Sequence, residues 1–298
     1  RYNTEMSLRS WLTVGGDIAY NQVKTNRVDD WAVGGMNATR MMIEMLPIFP
    51  VKYPNGNWSR LNDFGYNFNA DGSHYNASIY PADNPLRQLE EMANLFINDQ
   101  VLANFYASVK LAKGLSFKTT YSSQIFSQRN NLYIGKELQG IGPIGGSATV
   151  GSSRNIYWQS ENYLTYDNYI GKDHRINAVL GASWMQSSQE SASANATNFS
   201  TDYYQYNNLG AGAVRGAPVS NYYNFRLNSY YGRVNYDYQG KYLVTFTGRY
   251  DGSSKFGFSN KYAFFPSGAV GWILSNEDFL SSSRTISFLK LRGSYGIT

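Results

Sequence analysis

Hydrophobic and polar residues alternate with period two along most of the chain, the mark of strands with one apolar and one polar face. Leu12, Val14, Ile18 and Tyr20 share one side, against Thr13, Gly15 and Asp17. Val101, Ala103, Phe105, Ala107, Val109 and Leu111 alternate with Gln100, Asn104, Ser108 and Lys110. The same spacing recurs from Leu115 to Tyr121, Ile176 to Trp184, Tyr230 to Tyr238, Tyr242 to Phe246, Tyr262 to Trp272 and Leu289 to Tyr295. It is less clean over 155–167, where Asn162 falls on the face of Ile156, Trp158 and Leu164. The pattern predicts nine strands: 8–20, 100–112, 115–127, 155–167, 174–186, 224–238, 241–250, 262–274 and 286–297. Helical spacing is confined to Asn84–Phe96, with Pro85 suited to a first turn.

The connections sort by length. Residues 21–99, 128–154 and 187–223 are long, and they alternate with the short 113–114, 168–173 and 239–240; the last two connections, 251–261 and 275–285, are intermediate. Lys113-Gly114 and Gln239-Gly240 carry turn chemistry. Long loops at one end and tight turns at the other are the habit of outer-membrane barrels. A bilayer-spanning strand needs about 9 to 11 residues, and most of the nine reach that length. In hydrocarbon each backbone group must be paired, so such a sheet has to close. Nine strands with two free edges therefore predict an all-β, antiparallel transmembrane β-barrel in part only, with 1–298 as a piece of one larger barrel domain, 21–99, 128–154 and 187–223 as its external loops, and plug and TonB-contacting segment absent. A secreted all-β sandwich acting in glycan binding or adhesion is the competing reading.

Tyr and Trp gather near strand ends: Tyr238 and Tyr242 flank a predicted turn, while Trp184 and Trp272 close their strands. Rings so placed match the two aromatic girdles of a barrel. Ordinary strand propensity also favours these residues.

Composition narrows the field. Aromatic and charged residues each make up 16% of the 298 residues, too aromatic and too weakly charged for a disordered chain. The longest apolar candidate for a spanning helix, Met41–Val51, is broken by Glu44, Pro47 and Pro50, which excludes a helical membrane protein. The net charge of +5 comes from scattered Lys and Arg with no basic run, so no nucleic-acid partner is expected. Zero cysteines remove disulfides, thiolate metal sites and cysteine nucleophiles.

Catalytic motifs fail on context. Gly140-x-Gly142-x-x-Gly145 matches the dinucleotide fingerprint, but Pro143 interrupts it and no helical pattern follows. Asn67-x-Asn69-x-Asp71-Gly72 opens like a calcium loop, yet Ser78 stands where the bidentate Glu belongs. His74 and His174 lack the spacing of a zinc protease. Glu161, Asp237 and Asp251 fit no carboxylate pairing that spacing alone can establish. No enzyme activity and no cofactor or metal site are expected. Arg233, Asp237, Arg249, Lys290 and Arg292 fall on polar faces and are the lumen-facing candidates. Trp58, Tyr203, Tyr204, Tyr206 and Asp251 are the external-loop candidates for contact with a ligand or a lid; Asp251-Gly252-Ser253 reads as a tight connection.

Longer phrases carry a resemblance. SYYGRVNYDYQGKYLVTFTGR (Ser229–Arg249), RYDGSSKFGFSNKYAFFPSGAVGWILSNEDFL (Arg249–Leu280) and FLKLRGSYGIT (Phe288–Thr298) resemble the SusC/RagA-type TonB-dependent outer-membrane transporters. ENYLTYD (Glu161–Asp167) and VLG (Val179–Gly181) are similar to the same family's middle barrel. The resemblance implies a 22-stranded type of barrel with a plugged lumen. It further implies location in the outer membrane of a Gram-negative bacterium and uptake of oligosaccharides or peptides. The implied partners are the TonB complex, acting through parts not in this chain, a SusD-like surface lipoprotein as lid, and outer-membrane lipid.

Overall fold

The computed structural model describes residues 1–27, 38–45, 47, 50–59, 66–68, 74–76, 84–138, 145–257, 260–283 and 285–297. Its elements in chain order are β1 (Tyr2–Arg9), β2 (Leu12–Asn26), α1 (Ala38–Glu44), β3 (Tyr66–Phe68), β4 (His74–Asn76), α2 (Pro85–Glu91), β5 (Met92–Ala112), β6 (Leu115–Ile134), β7 (Ser147–Ile170), β8 (His174–Phe199), β9 (Gly212–Arg215), β10 (Val219–Tyr238), β11 (Tyr242–Ser253), β12 (Tyr262–Ile273) and β13 (Lys290–Gly296).

Eleven strands form one antiparallel sheet in the order β1-β2-β5-β6-β7-β8-β10-β11-β12-β13, with β9 paired to the outer end of β8. Nearly every strand pairs with its sequence neighbour, the meander of an up-and-down barrel wall. The sheet is open, with β1 and β13 at its edges, and β3–β4 is a separate hairpin. It is not a sandwich of two packed sheets.

Turn chemistry sets the hairpins. At the β10–β11 turn Gln239 and Gly240 both take positive φ, 56° and 64°, and Lys241 N–H donates to the Tyr238 carbonyl at 2.9 Å. That is the primed geometry that matches strand twist. Gly114 has φ 74°, and a Cβ there would lie 2.5 Å from the Asp167 carbonyl oxygen, so both conformation and space demand glycine.

Three expectations change. The predicted first strand, 8–20, is a hairpin that turns at Ser10–Trp11, with β1 before it. Ser-Trp carries no Gly, Pro or Asn to mark a turn. The helix expected over Asn84–Phe96 ends at Glu91, because Met92–Phe96 pair with Asn130–Ile134 in the sheet. The Asn84 side chain caps that helix by accepting from Leu86 N–H at 2.9 Å. Most strands also run well beyond the expected bounds: β8 has 26 residues, about 86 Å at 3.3 Å per residue, against an apolar core of about 30 Å. The ladder therefore continues into 92–99, 128–134, 147–154, 187–199 and 219–223.

Packing above the sheet is local. Met41, Met92, Ile134 and Leu138 form one small cluster, and Tyr133, Ala148, Ala196 and Phe199 another. Both sit where strand ends and connections meet at one end of the sheet.

Candidate functional site

Register assigns each strand residue to one of two faces. One face, between two rows of rings, carries Leu12, Val14 and Ile18 on β2; Ala103, Phe105, Ala107 on β5; Leu164 on β7; Ile176, Ala178, Leu180, Ala182 on β8; Val234 on β10; Val244 and Phe246 on β11; and Val270 on β12. No Asp, Glu, Lys or Arg falls on this face between the rows among the described residues. Leu180 is 65% exposed and Phe246 66%, although both lie mid-strand.

One row of rings runs along the long-connection end. Tyr121 stacks with Trp158 at 6.4 Å, Trp184 meets Tyr230 edge-on at 6.4 Å, and Tyr250 stacks with Tyr262 at 5.0 Å. The other runs along the short-turn end, where His174 lies 5.0 Å from Tyr238, Tyr238 stacks on Tyr242 at 6.3 Å, and Tyr242 on Trp272 at 6.3 Å. From Tyr230 to Tyr238 is about 26 Å along the strand. A tilt of about 40° turns this into about 20 Å of depth, close to the apolar band of outer-membrane barrels.

The opposite face holds the charges. All five lumen-facing candidates lie on it: Arg233 and Asp237 on β10, Arg249 on β11, Lys290 and Arg292 on β13. They do not form one cluster. Asp237 accepts the Gly240 N–H at 2.7 Å and so serves its own turn. Arg249 donates through Nε to Asp251 at 2.7 Å and through Nη2 to Ser229 Oγ at 2.9 Å, with its guanidinium 5.7 Å from the Tyr231 ring centre. Asp251 is thus a strand residue on the polar face, opposite Ser229 and Ala263; Asp251-Gly252-Ser253 end β11, and the turn follows at Ser254.

In register across this face run Lys118, Tyr163, Gly181, Tyr231, Arg249 and Phe265, with Thr120, Glu161, Ser183, Ser229 and Asp251 in the next row. Gln159 Nε2 donates to Glu161 at 2.6 Å. Tyr231 lies flat over Gly181, where a Cβ would meet its ring at 2.5 Å. The arrangement repeats at the other side of the sheet, where Tyr106 covers Gly15, donates to Glu5 and carries Lys118 Nζ 4.7 Å above its ring. The sequence signal for both was available: a glycine inside a clean alternation marks a close approach.

The external-loop candidates divide. Tyr203 is 83% exposed and meets Tyr204 edge-on at 5.1 Å, whereas Tyr206 packs on the Tyr133 cluster. Trp58 is half-buried and covered by Lys52, whose Nζ is 4.0 Å from the ring. Tyr133 donates to Asp202, which also accepts Lys136 N–H at 2.9 Å; burial first, then Asp202, raises the Tyr133 phenol well above its usual range. At the short-turn end the β12–β13 connection folds back on the β10–β11 turn. Glu277 accepts from Trp272 Nε1 at 2.9 Å, pairs with Lys241 at 3.1 Å and accepts from Tyr242, and these donors hold its carboxyl below the usual range. The calcium-like residues 67–78 and Gly140 and Gly142 lie wholly or largely outside the described residues.

No protein-family model matches the chain. TonB-dependent receptor P3 of Formosa agariphila is 43% identical over 237 residues, which are 78% of this chain and 23% of that receptor. TonB-dependent receptor SusC of Bacteroides thetaiotaomicron is 50% identical over 72 residues, 24% of this chain and 7% of that one. The chain is part of the barrel wall of a SusC/RagA-type TonB-dependent receptor. The solved structure of the RagAB peptide transporter superposes on 99% of this chain and 32% of its own, with TM-score 0.76 and 20% identity, and bears out the fold. The matched residues span about a quarter of the length of receptor P3.

Proposed function

We propose that this chain forms wall strands of an outer-membrane nutrient importer of the SusC type in a Gram-negative bacterium. The observation that carries the reading is the charge-free face bounded by two aromatic rows and backed by a face that holds the charges. Side chains such as Leu180 and Phe246 suit acyl chains, whereas in water they would make a contiguous apolar patch of a size soluble domains avoid. The long-connection end is external and the short-turn end periplasmic. Arg233, Asp237, Arg249, Lys290 and Arg292 face the lumen.

The cargo is an oligosaccharide or a peptide, taken up with energy from the TonB complex, which acts on parts of the receptor other than this wall. A SusD-like lipoprotein covers the projecting strand ends. Tyr203 and Tyr204 are the candidates for a cargo or lid contact, supported by their exposure, since flat rings suit sugar and peptide alike; Trp58 and Tyr206 give more of their surface to local packing. The wall itself catalyses nothing.

Thiol labelling of the full-length receptor on intact cells tests this directly. Tyr203→Cys reacts with a membrane-impermeant maleimide and Lys172→Cys, in the β7–β8 turn, does not. The opposite pattern overturns the orientation. Reaction of both in protein found only in the culture supernatant overturns the importer.

A further inference from the structure

The lipid-facing side of the sheet does not stop being informative at the upper aromatic row. Lys24 on β2, Ile97 on β5 and Arg129 on β6 are in register, and Arg154 on β7 sits one diagonal step from Arg129, whose direct partner is Ser152. All three cations are on the same face as Leu180 and Phe246, and all are exposed. Lys24 lies four residues beyond Tyr20, and Arg154 four residues beyond Trp158, about 13 Å along the strand in each case. Lys24 and Arg154 stand just outside the ring level at which headgroups begin, and Arg129, eight residues beyond Tyr121 on its own strand, is level with Lys24.

The charges around them are matched only in part: Asp99, which Arg129 and Lys24 both attract, and Glu190 leave one positive charge in surplus among these three cations and two acids. Asp99, opposite Gln22 and Ser127, has its Oδ1 engaged by the Tyr20 hydroxyl at 2.6 Å and by Gln22 Nε2 at 2.7 Å. Glu190 faces Arg154 on the side away from Arg129. Among the described residues, none of the ion pairs includes Lys24, Arg129 or Arg154. At the short-turn end the same face carries no such group of cations on its strands among the described residues.

We infer that Lys24, Arg129 and Arg154 form a docking site for the phosphate of an anionic outer-leaflet lipid whose acyl chains lie along the charge-free band below. The inference rests on the membrane-facing assignment made above and adds a ligand to it. Two observations choose the occupant. The patch is continuous with the band that meets acyl chains, and its surplus positive charge complements a phosphate at headgroup depth. Tyr20, Tyr121 and Trp158 lie between the two, level with the lipid's glycerol or sugar backbone. Arginine and lysine both suit the phosphate, Arg by two-pronged donation and Lys as a compact charge.

The full-length receptor in detergent, mixed with bisphosphorylated lipid A or with its dephosphorylated form of identical acyl composition, separates the contributions. Native mass spectrometry reads the lipid retained. The wild type retains the phosphorylated lipid in preference. The Lys24→Gln/Arg129→Gln/Arg154→Gln variant loses that preference by about a hundredfold, from the usual worth of three cations near an anionic surface. Lys172→Gln, at the other end of the strands, leaves it unchanged. Each single variant, which removes one exposed charge and folds as the wild type does, loses a part of it. Equal retention of both lipids by the wild type, or an unchanged preference in the triple variant, overturns the site and leaves the membrane-facing band standing. Retention of neither lipid overturns both.

Discussion

Strand β8 contains two regions that share a ladder and differ in the polarity of their faces. From Ile176 to Trp184 one face reads Ile, Ala, Leu, Ala, Trp and the other Asn, Val, Gly, Ser. From Gln186 to Ala196 the first face reads Gln, Ser, Glu, Ala, Ala, Ala and the second Ser, Gln, Ser, Ser, Asn. Pairing with β7 continues unbroken from His174 to Thr197, and pairing with β10 continues to Ser193. Alternation is therefore not what makes β8 a strand. On the proposed reading it records lipid on one side and water on the other, and it ends where water wets both.

Opposite substitutions on this one face expose the difference. Leu180→Arg puts a charge at mid-depth on the lipid side, at a cost of about 2–4 kcal/mol. Urea unfolding of the full receptor, refolded into phospholipid vesicles, reads it as a lower midpoint with unchanged slope. A loss under about 0.5 kcal/mol means that this face does not meet hydrocarbon.

What was legible follows from the same contrast. Strands at the band were readable because one face is apolar and the other polar, and the Gln239-Gly240 and Lys113-Gly114 turns because positive φ leaves a glycine trace. The outer halves of β6, β7 and β8 were not, since a strand polar on both sides looks like a polar loop. Met92–Phe96 were read as helix because local spacing carries no information about Asn130–Ile134, the residues that recruit them into the sheet. The polar-face candidates were legible as to face but not as to partner. Arg249 bonding Asp251 could be guessed at a separation of two along a strand, whereas its bond to Ser229 depends on the β10–β11 register.

The polar face offers a second contrast, because it is packed at some places by rings laid on backbone. Gly181→Val drives two methyl groups into the Tyr231 ring and costs about 1–3 kcal/mol. In a Tyr231→Ala background the same change costs measurably less, and equal costs in the two backgrounds remove the ring from the account. At the outer end, Tyr133→Phe deletes one bond to Asp202 while Lys136 N–H still serves that carboxylate. The expected loss is about 1 kcal/mol. It appears as faster amide exchange in 200–211 with the band unaffected; uniform acceleration shows instead that the two regions unfold together.

At the short-turn end the Glu277 carboxyl is held low by Trp272, Tyr242 and Lys241, so its contribution is present above the free carboxylate's range and fades as pH falls through the depressed value. Amide exchange in the 274–289 connection rises at that acid limit, and Glu277→Gln shows the faster exchange already at neutral pH. If acid accelerates the Glu277→Gln variant by the same factor as the wild type, another group controls the connection.

The smallest effect is the most discriminating. Ala192 lies on β8 on the same face as Leu180, exposed and opposite Ser152 and Ser220. Ala192→Arg introduces the same side chain, in the same strand, on the same side, twelve positions further out. If that region stands in water, the change stays within about 0.5 kcal/mol, as surface substitutions do. Its guanidinium joins the neighbourhood of Arg129 and Arg154, so any residual cost is electrostatic and disappears as salt is raised. The hydrocarbon cost at Leu180 does not respond to salt in that way. A salt-insensitive loss of 2 kcal/mol or more at Ala192 places the bilayer higher on the sheet than the two rows of rings do, and moves the boundary between the regions rather than abolishing it.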